Sequence, residues 1–275
     1  MTPFKNVLTA ELKLIFSRSS AWLCIACSIF VAIVIPWLMS AAIDGIEVQT
    51  SSEAAAQGMA NMMQEQIGKD VAKGMGRALW GRNFILIPLL ILLAASSCLS
   101  GERGGYQLRE TLCRPISRNR LLLAKGLGLT ILCGLSLLAT GLCAFITGQF
   151  LFEDVGELKL ISIGYTLSLL SDTALIGLAF LVGTYTRSTG TTAIMSFIVL
   201  VLNAFVYFVS SVFVMIMPSD RQKSLEDWIQ NLPYKSFSAW EGWSGGFDTE
   251  PVIGLFLLNL FCYGCLAYRF QKLDI

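Results

Sequence analysis

Residues 19–43 read SSAWLCIACSIFVAIVIPWLMSAAI, an uncharged run between Arg18 and Asp44. A bilayer core of about 30 Å needs roughly 20 apolar residues in a helix rising about 1.5 Å per residue, so this run is long enough to cross. Five further stretches qualify: 83–101, 126–152, 160–186, 191–217 and 251–268, the fourth span of the six containing one charge, Asp172. Hydrocarbon offers the backbone no water, so spans of this kind close their hydrogen bonds within a helix. The pattern predicts an all-α, polytopic membrane protein with six transmembrane helices in a single transmembrane domain, 1–275. Residues 44–82, 153–159 and 218–250 become the outer loops.

Composition agrees and narrows the function. Charged residues make up 14% of the chain and mean hydropathy is +0.65, where soluble domains carry about a quarter charged residues. The formal charge of +1 argues against a nucleic-acid partner. The 275 residues contain no histidine, which removes histidine triads, histidine metal sites and the usual general base near neutral pH. Eight cysteines lie almost wholly in apolar stretches, unlike a secreted disulfide framework. Cys24-Ile-Ala-Cys27 and Cys262-Tyr-Gly-Cys265 have redox or zinc spacing, but each sits inside a span, where burial suppresses the thiolate, so we read them as packing residues. Met59, Met62, Met63 and Met75 in the long outer loop have no regular spacing, and no metal is expected.

Six spans put both termini on one side. That side carries twelve Lys and Arg residues against eight opposite, including six between Arg103 and Lys125. The positive-inside rule then makes both termini cytoplasmic. Arg82 is counted with the outer flank, leaving Asp172 as the ionisable residue well inside a span. Trp22, Trp37, Trp80, Trp228, Trp240 and Trp243 sit at or beyond span ends, as headgroup-level rings do. Residues 1–18 are followed by an apolar run too long for a signal-peptide h-region, so we expect them to be retained.

Within 4–18, Phe4, Val7, Leu8, Leu12, Ile15 and Phe16 fall on one helical stripe, interrupted by Lys5, Glu11, Lys13 and Arg18. This predicts a helix lying in the cytoplasmic interface. The inner loop 102–125 reads ERGGYQLRETLCRPISRNRLLLAK. Gly104 and Gly105 break the span, 106–113 suit a short helix, Pro115 ends it, and Ser117 can cap a helix merging into the third span. Leu108 and Leu112, four apart, share a face. On the fourth span, Asp172 shares a small-residue face with Gly164, Ser168, Ala179 and Gly183. It is therefore expected to meet another helix, where Ser or backbone groups satisfy it, with transport and proton coupling as the alternatives. In the last outer loop, 219–230 carry a helix signal, followed by Asn231-Leu-Pro233 and Trp240-Glu-Gly-Trp243.

Glu102-Arg-Gly-Gly-Tyr106, Arg114-Pro-Ile-Ser-Arg118 and Leu121-Leu-Leu-Ala-Lys-Gly-Leu-Gly128 resemble the corresponding loop of type-2 ABC transporter permeases, and Ala10-Glu-Leu-Lys13 resembles the family's interfacial helix. Six spans with cytoplasmic termini match as well. Tyr106 departs from the usual Thr, and the loop 44–82 is longer than in many relatives. The resemblance implies a permease subunit that couples ATP hydrolysis by a separate ABC ATPase subunit to export or extraction of a substrate. It further implies pairing with a second permease copy or a paralogue. The implied ATPase-docking coupling helix involves Glu102, Tyr106, Leu108, Arg109, Leu112, Arg114, Pro115 and Arg118. Phe4, Leu8, Glu11, Leu12 and Ile15 are the implied interfacial helix. No Gly-x-x-x-x-Gly-Lys-Ser/Thr motif occurs, so the chain is not expected to be an enzyme. ATP and Mg would reside on the partner, with no cofactor on this chain. Two alternatives stay open: a non-transporting subunit passing ATPase motion to an extracytoplasmic protein through 44–82, and a secondary carrier using Asp172.

Overall fold

A computed structural model describes residues 4–49, 74–84, 86–105, 108, 113, 116–152, 158–216, 233–243 and 248–272. The described residues form helices and the turns between them. α1 (Phe4–Phe16) ends at a turn in which the Ser17 amide donates to the Lys13 carbonyl, and α2 (Ser19–Gln49) leaves it at a bend of 69°. α3 (Gly74–Asn83) precedes a break at 84–85, and α4 (Leu86–Gly104) resumes as α-helix and then widens into a π-turn over Ser97–Gly101. α5 (Arg118–Phe152), α6 (Leu158–Gly183), α7 (Thr189–Ile216) and α9 (Thr249–Gln271) are long. The short α8 (Pro233–Phe237) and a 3₁₀ turn (Ala239–Trp243) lie between the last two.

Five of these helices are long and apolar enough on their own to cross a membrane: Leu86–Gly104, Arg118–Thr147, Lys159–Gly183, Thr189–Val214 and Thr249–Gln271. Counting the bent pair α1 and α2 as one span makes six. The helix α5, at 35 residues, would rise about 52 Å, well over the hydrocarbon thickness. Its start at Arg118 therefore lies beyond the apolar stretch predicted from 126. The Ser117 carbonyl accepts from the Leu121 amide there, as a residue just before a helix does.

The core is continuous through α1, α2, α4, α5, α6 and α9, with Ile87, Leu92, Leu99, Leu121, Phe180 and Phe270 among its enclosed side chains. α7 is peripheral. The most apolar stretch of α7 has no buried residue, and Ile194, Leu202, Phe205 and Phe208 point outward. In lipid an exposed apolar face costs nothing, because acyl chains are as apolar as Leu. The expected outer helix 219–230 lies outside the described residues.

One boundary differs from the sequence reading. Residues 74–82 were assigned to the outer loop 44–82, yet α3 packs among α2, α5 and α6. Leu79 and Arg82 are fully enclosed, and a Cβ on Gly81 would come within 2.8 Å of Ile35. Local hydropathy missed this because α3 is short and Arg82, its buried cation, faces neighbouring helices instead of water.

Candidate functional site

Two polar centres occupy the bundle, one at the end where the termini meet and one towards the opposite end. The first begins with α1. Val7, Glu11 and Ile15, successive at i and i+4, are its buried line, flanked by half-buried Phe4, Leu8, Leu12 and Phe16. The predicted apolar stripe is thus the packed face, with a carboxylate in its middle. A carboxylate there needs a partner, and Lys125 of α5 supplies it at 2.9 Å from Nζ to Glu11 Oε2. The same ammonium donates to Glu102 Oε2 at 2.6 Å, and the other Glu102 oxygen accepts from Arg18 at 2.7 Å. Arg18 also reaches Ser97 Oγ (2.9 Å) and Cys98 Sγ (3.2 Å) on the π-turn. Lys125 is 1% exposed and Arg18 21%. Two carboxylates and two cations, from four separate stretches of chain, neutralise one another beside the break after α4.

That break is pinned from a second direction. Arg103 donates to the Thr184 carbonyl at 2.7 Å, at the turn between α6 and α7. A Cβ on Gly104 would collide with the Arg187 carbonyl oxygen, so this position requires glycine for close backbone approach. Sequence reasoning treated Gly104 only as a helix breaker.

Of the residues assigned to the docking loop, Glu102 is buried in the ionic cluster and Leu108 is fully buried in the core. Leu108 therefore packs against the bundle in this conformation. Arg118 is half-buried and donates to the Phe270 and Gln271 carbonyls, tying the start of α5 to the end of α9. Tyr106, Arg109, Leu112, Arg114 and Pro115 lie outside the described residues. Cys113, which is described, is exposed.

At the second centre Asp172 does face other helices, but its partner is a guanidinium, where a hydroxyl or backbone group was expected. Arg82 donates to Asp172 Oδ2 at 2.7 Å and Oδ1 at 3.4 Å, with side-chain exposures of 0% and 3%. The pair is embedded in small polar groups. Arg82 also donates to Asn83 Oδ1 (2.7 Å), Ser168 Oγ (3.3 Å) and Ser136 Oγ (3.4 Å), and Ser136 meets Ser28 at 2.7 Å. Asn83 donates to Ser168 at 2.9 Å. Four helices, α2, α3, α5 and α6, converge on one charge pair. The sequence carried half the signal: Asp172 and Ser168 sit on the predicted face, whereas Arg82 was placed in the outer flank because it precedes an apolar run.

The fold defines a polytopic α-helical membrane subunit whose polar groups join helices to one another, and none of its described residues form a cluster that would hold a metal. The chain matches the family model of the ABC-2 family transporter proteins over residues 7–237 and belongs to that family. The family is the membrane component of ABC transporters, working with an ABC ATPase and not itself catalytic. No curated protein is similar enough to the chain to count as a relative.

Proposed function

We propose that this chain is the permease subunit of an ABC transporter in a bacterial inner membrane, with both termini cytoplasmic, and that it acts as a dimer or with a paralogue. The loop from Glu102 to Arg118 seats in the ATPase subunit, which holds ATP and Mg. Export or extraction of a substrate follows when the spans repack between two arrangements.

The observation that carries this reading is Lys125 bridging Glu11 and Glu102. Force arriving at the loop reaches the root of α4 through Glu102. The shared ammonium passes it to α1 through Glu11 and to α5, of which Lys125 is part. Arg18 passes it to α2. One small charged cluster thus connects the loop with the first, second and third spans.

The test uses the permease purified with its ABC ATPase subunit. Arg109→Ser with Arg114→Ser, both in the loop, is expected to reduce co-purified ATPase and its turnover by at least about tenfold. Membrane insertion and detergent-extracted Tm should stay at wild type. Wild-type co-purification and turnover would overturn the docking role of this loop.

A further inference from the structure

A cavity of about 440 Å³ opens at the end opposite the termini, enclosed by α3, the start of α4, α6, α7, α8 and the 3₁₀ turn. That volume is within the range of about 300–1,000 Å³ typical of small-ligand sites. It is lined by the rings of Trp80, Phe84, Tyr234 and Trp240, with Val201 among the aliphatic residues that α7 contributes. Phe84 and Val201 are themselves well exposed on the outside of the bundle, so the cavity opens laterally, where lipid or an amphiphile has access.

Its charges are of one sign. Asp172 and Glu241 line it, and no Lys or Arg does among the described residues. Asp172 is already matched by Arg82 behind the wall. Glu241, on the 3₁₀ turn at the rim, makes no ion pair among the described residues. Glu241 is accessible through the mouth, yet enough protein surrounds it that desolvation is the largest influence on its carboxyl, raising its pKa, with Lys235 opposing. Aromatic faces are electron-rich and attract cations, the more so where water is scarce. An anion would meet a carboxylate and ring faces of the wrong sign. A neutral apolar ligand would gain nothing from the carboxylate. The complement of this cavity is a positive group carried on an apolar body.

We propose that the cavity is a binding site for amphipathic organic cations, quaternary ammonium groups or protonated hydrophobic amines. Glu241 faces the cationic head, the rings of Trp80, Phe84, Tyr234 and Trp240 surround it, and the apolar body lies along α7. The site rests on its own geometry and not on ATPase docking, so its failure leaves the coupling reading intact.

The test is a saturation-transfer NMR titration of the full-length permease in uncharged dodecyl maltoside micelles. The probes are trimethyl(4-phenylbutyl)ammonium and its neutral isostere bearing tert-butyl in place of trimethylammonium. The cation is expected to bind about tenfold more tightly than the isostere, and Glu241→Gln to cut that preference to about threefold or less. Phe84→Leu should weaken the cation by about threefold. Asp248→Asn, the same charge change away from the cavity, should leave it unchanged. A second arm adds phosphatidylcholine or phosphatidylglycerol. Displacement by the choline lipid alone assigns the site to a lipid headgroup, and no displacement by either assigns it to a free amphiphile. Equal binding of cation and isostere, wild-type affinity in Glu241→Gln, an equal loss in Asp248→Asn, or no saturable binding would each overturn the proposal.

Discussion

Arg82 and Asp172 meet one to one inside four helices, whereas Lys125 at the other end is shared between two carboxylates, one of which also holds Arg18. An exclusive buried pair separates only by leaving both charges uncompensated, which is costly in a low-dielectric interior. A shared cation can release one carboxylate and keep the other. The terminal cluster also has Arg18 partly open to its surroundings, so a displaced charge there finds polar company sooner. The difference suits the two places. The enclosed pair holds α3 against α6, whereas in the shared cluster Glu102 keeps Arg18 if it parts from Lys125, and Lys125 keeps Glu11.

Breaking the exclusive pair should give the largest effect. Asp172→Leu strands Arg82 and is expected to cost about 3–5 kcal/mol of stability, read as a lower Tm and poor recovery of folded protein. Asp172→Asn, which keeps hydrogen bonding, should cost less. Adding Arg82→Met to Asp172→Leu should recover most of the loss. A double variant as unstable as Asp172→Leu alone would show that the pair is not the source of the penalty.

The shared cluster sharpens the comparison through its asymmetry. Lys125→Met leaves two carboxylates for Arg18 alone and should cost about 2–3 kcal/mol, while Glu11→Gln, leaving Lys125 on Glu102, should cost only about 1 kcal/mol. Equal losses in thermal unfolding of these two variants would mean that the cluster behaves as another exclusive pair.

The smallest change tests the backbone contact that frames the cluster. In Gly104→Ala the new methyl meets the Arg187 carbonyl, and relieving it moves one of two pinned turns. We expect about 1–2 kcal/mol, together with a loss of ATPase stimulation larger than the stability change predicts. Stimulation that merely tracks the amount of folded protein would confine Gly104 to packing.

Much of this protein follows from local rules. The apolar runs dictate helices, since nothing else satisfies the backbone in lipid, and five of the six stretches reappear as helices long enough to cross on their own. The stripe on 4–16 is also local, and it coincides with the buried and half-buried face of α1. Such features depend on residues a turn apart, so sequence spacing contains them. The ion pairs do not: Arg82 and Asp172 are 90 residues apart, and Glu11 and Lys125 are 114 apart. A charge beside an apolar run reads the same whether it reaches water or turns inward to a carboxylate on another helix, and only the packing of α3 and α5 against their neighbours decided which. That is why Lys125 was legible as a flank charge but not as a bridge, and why Arg82 passed for an outer residue. Local periodicity places the long apolar helices, and the fold alone chooses which buried charges meet.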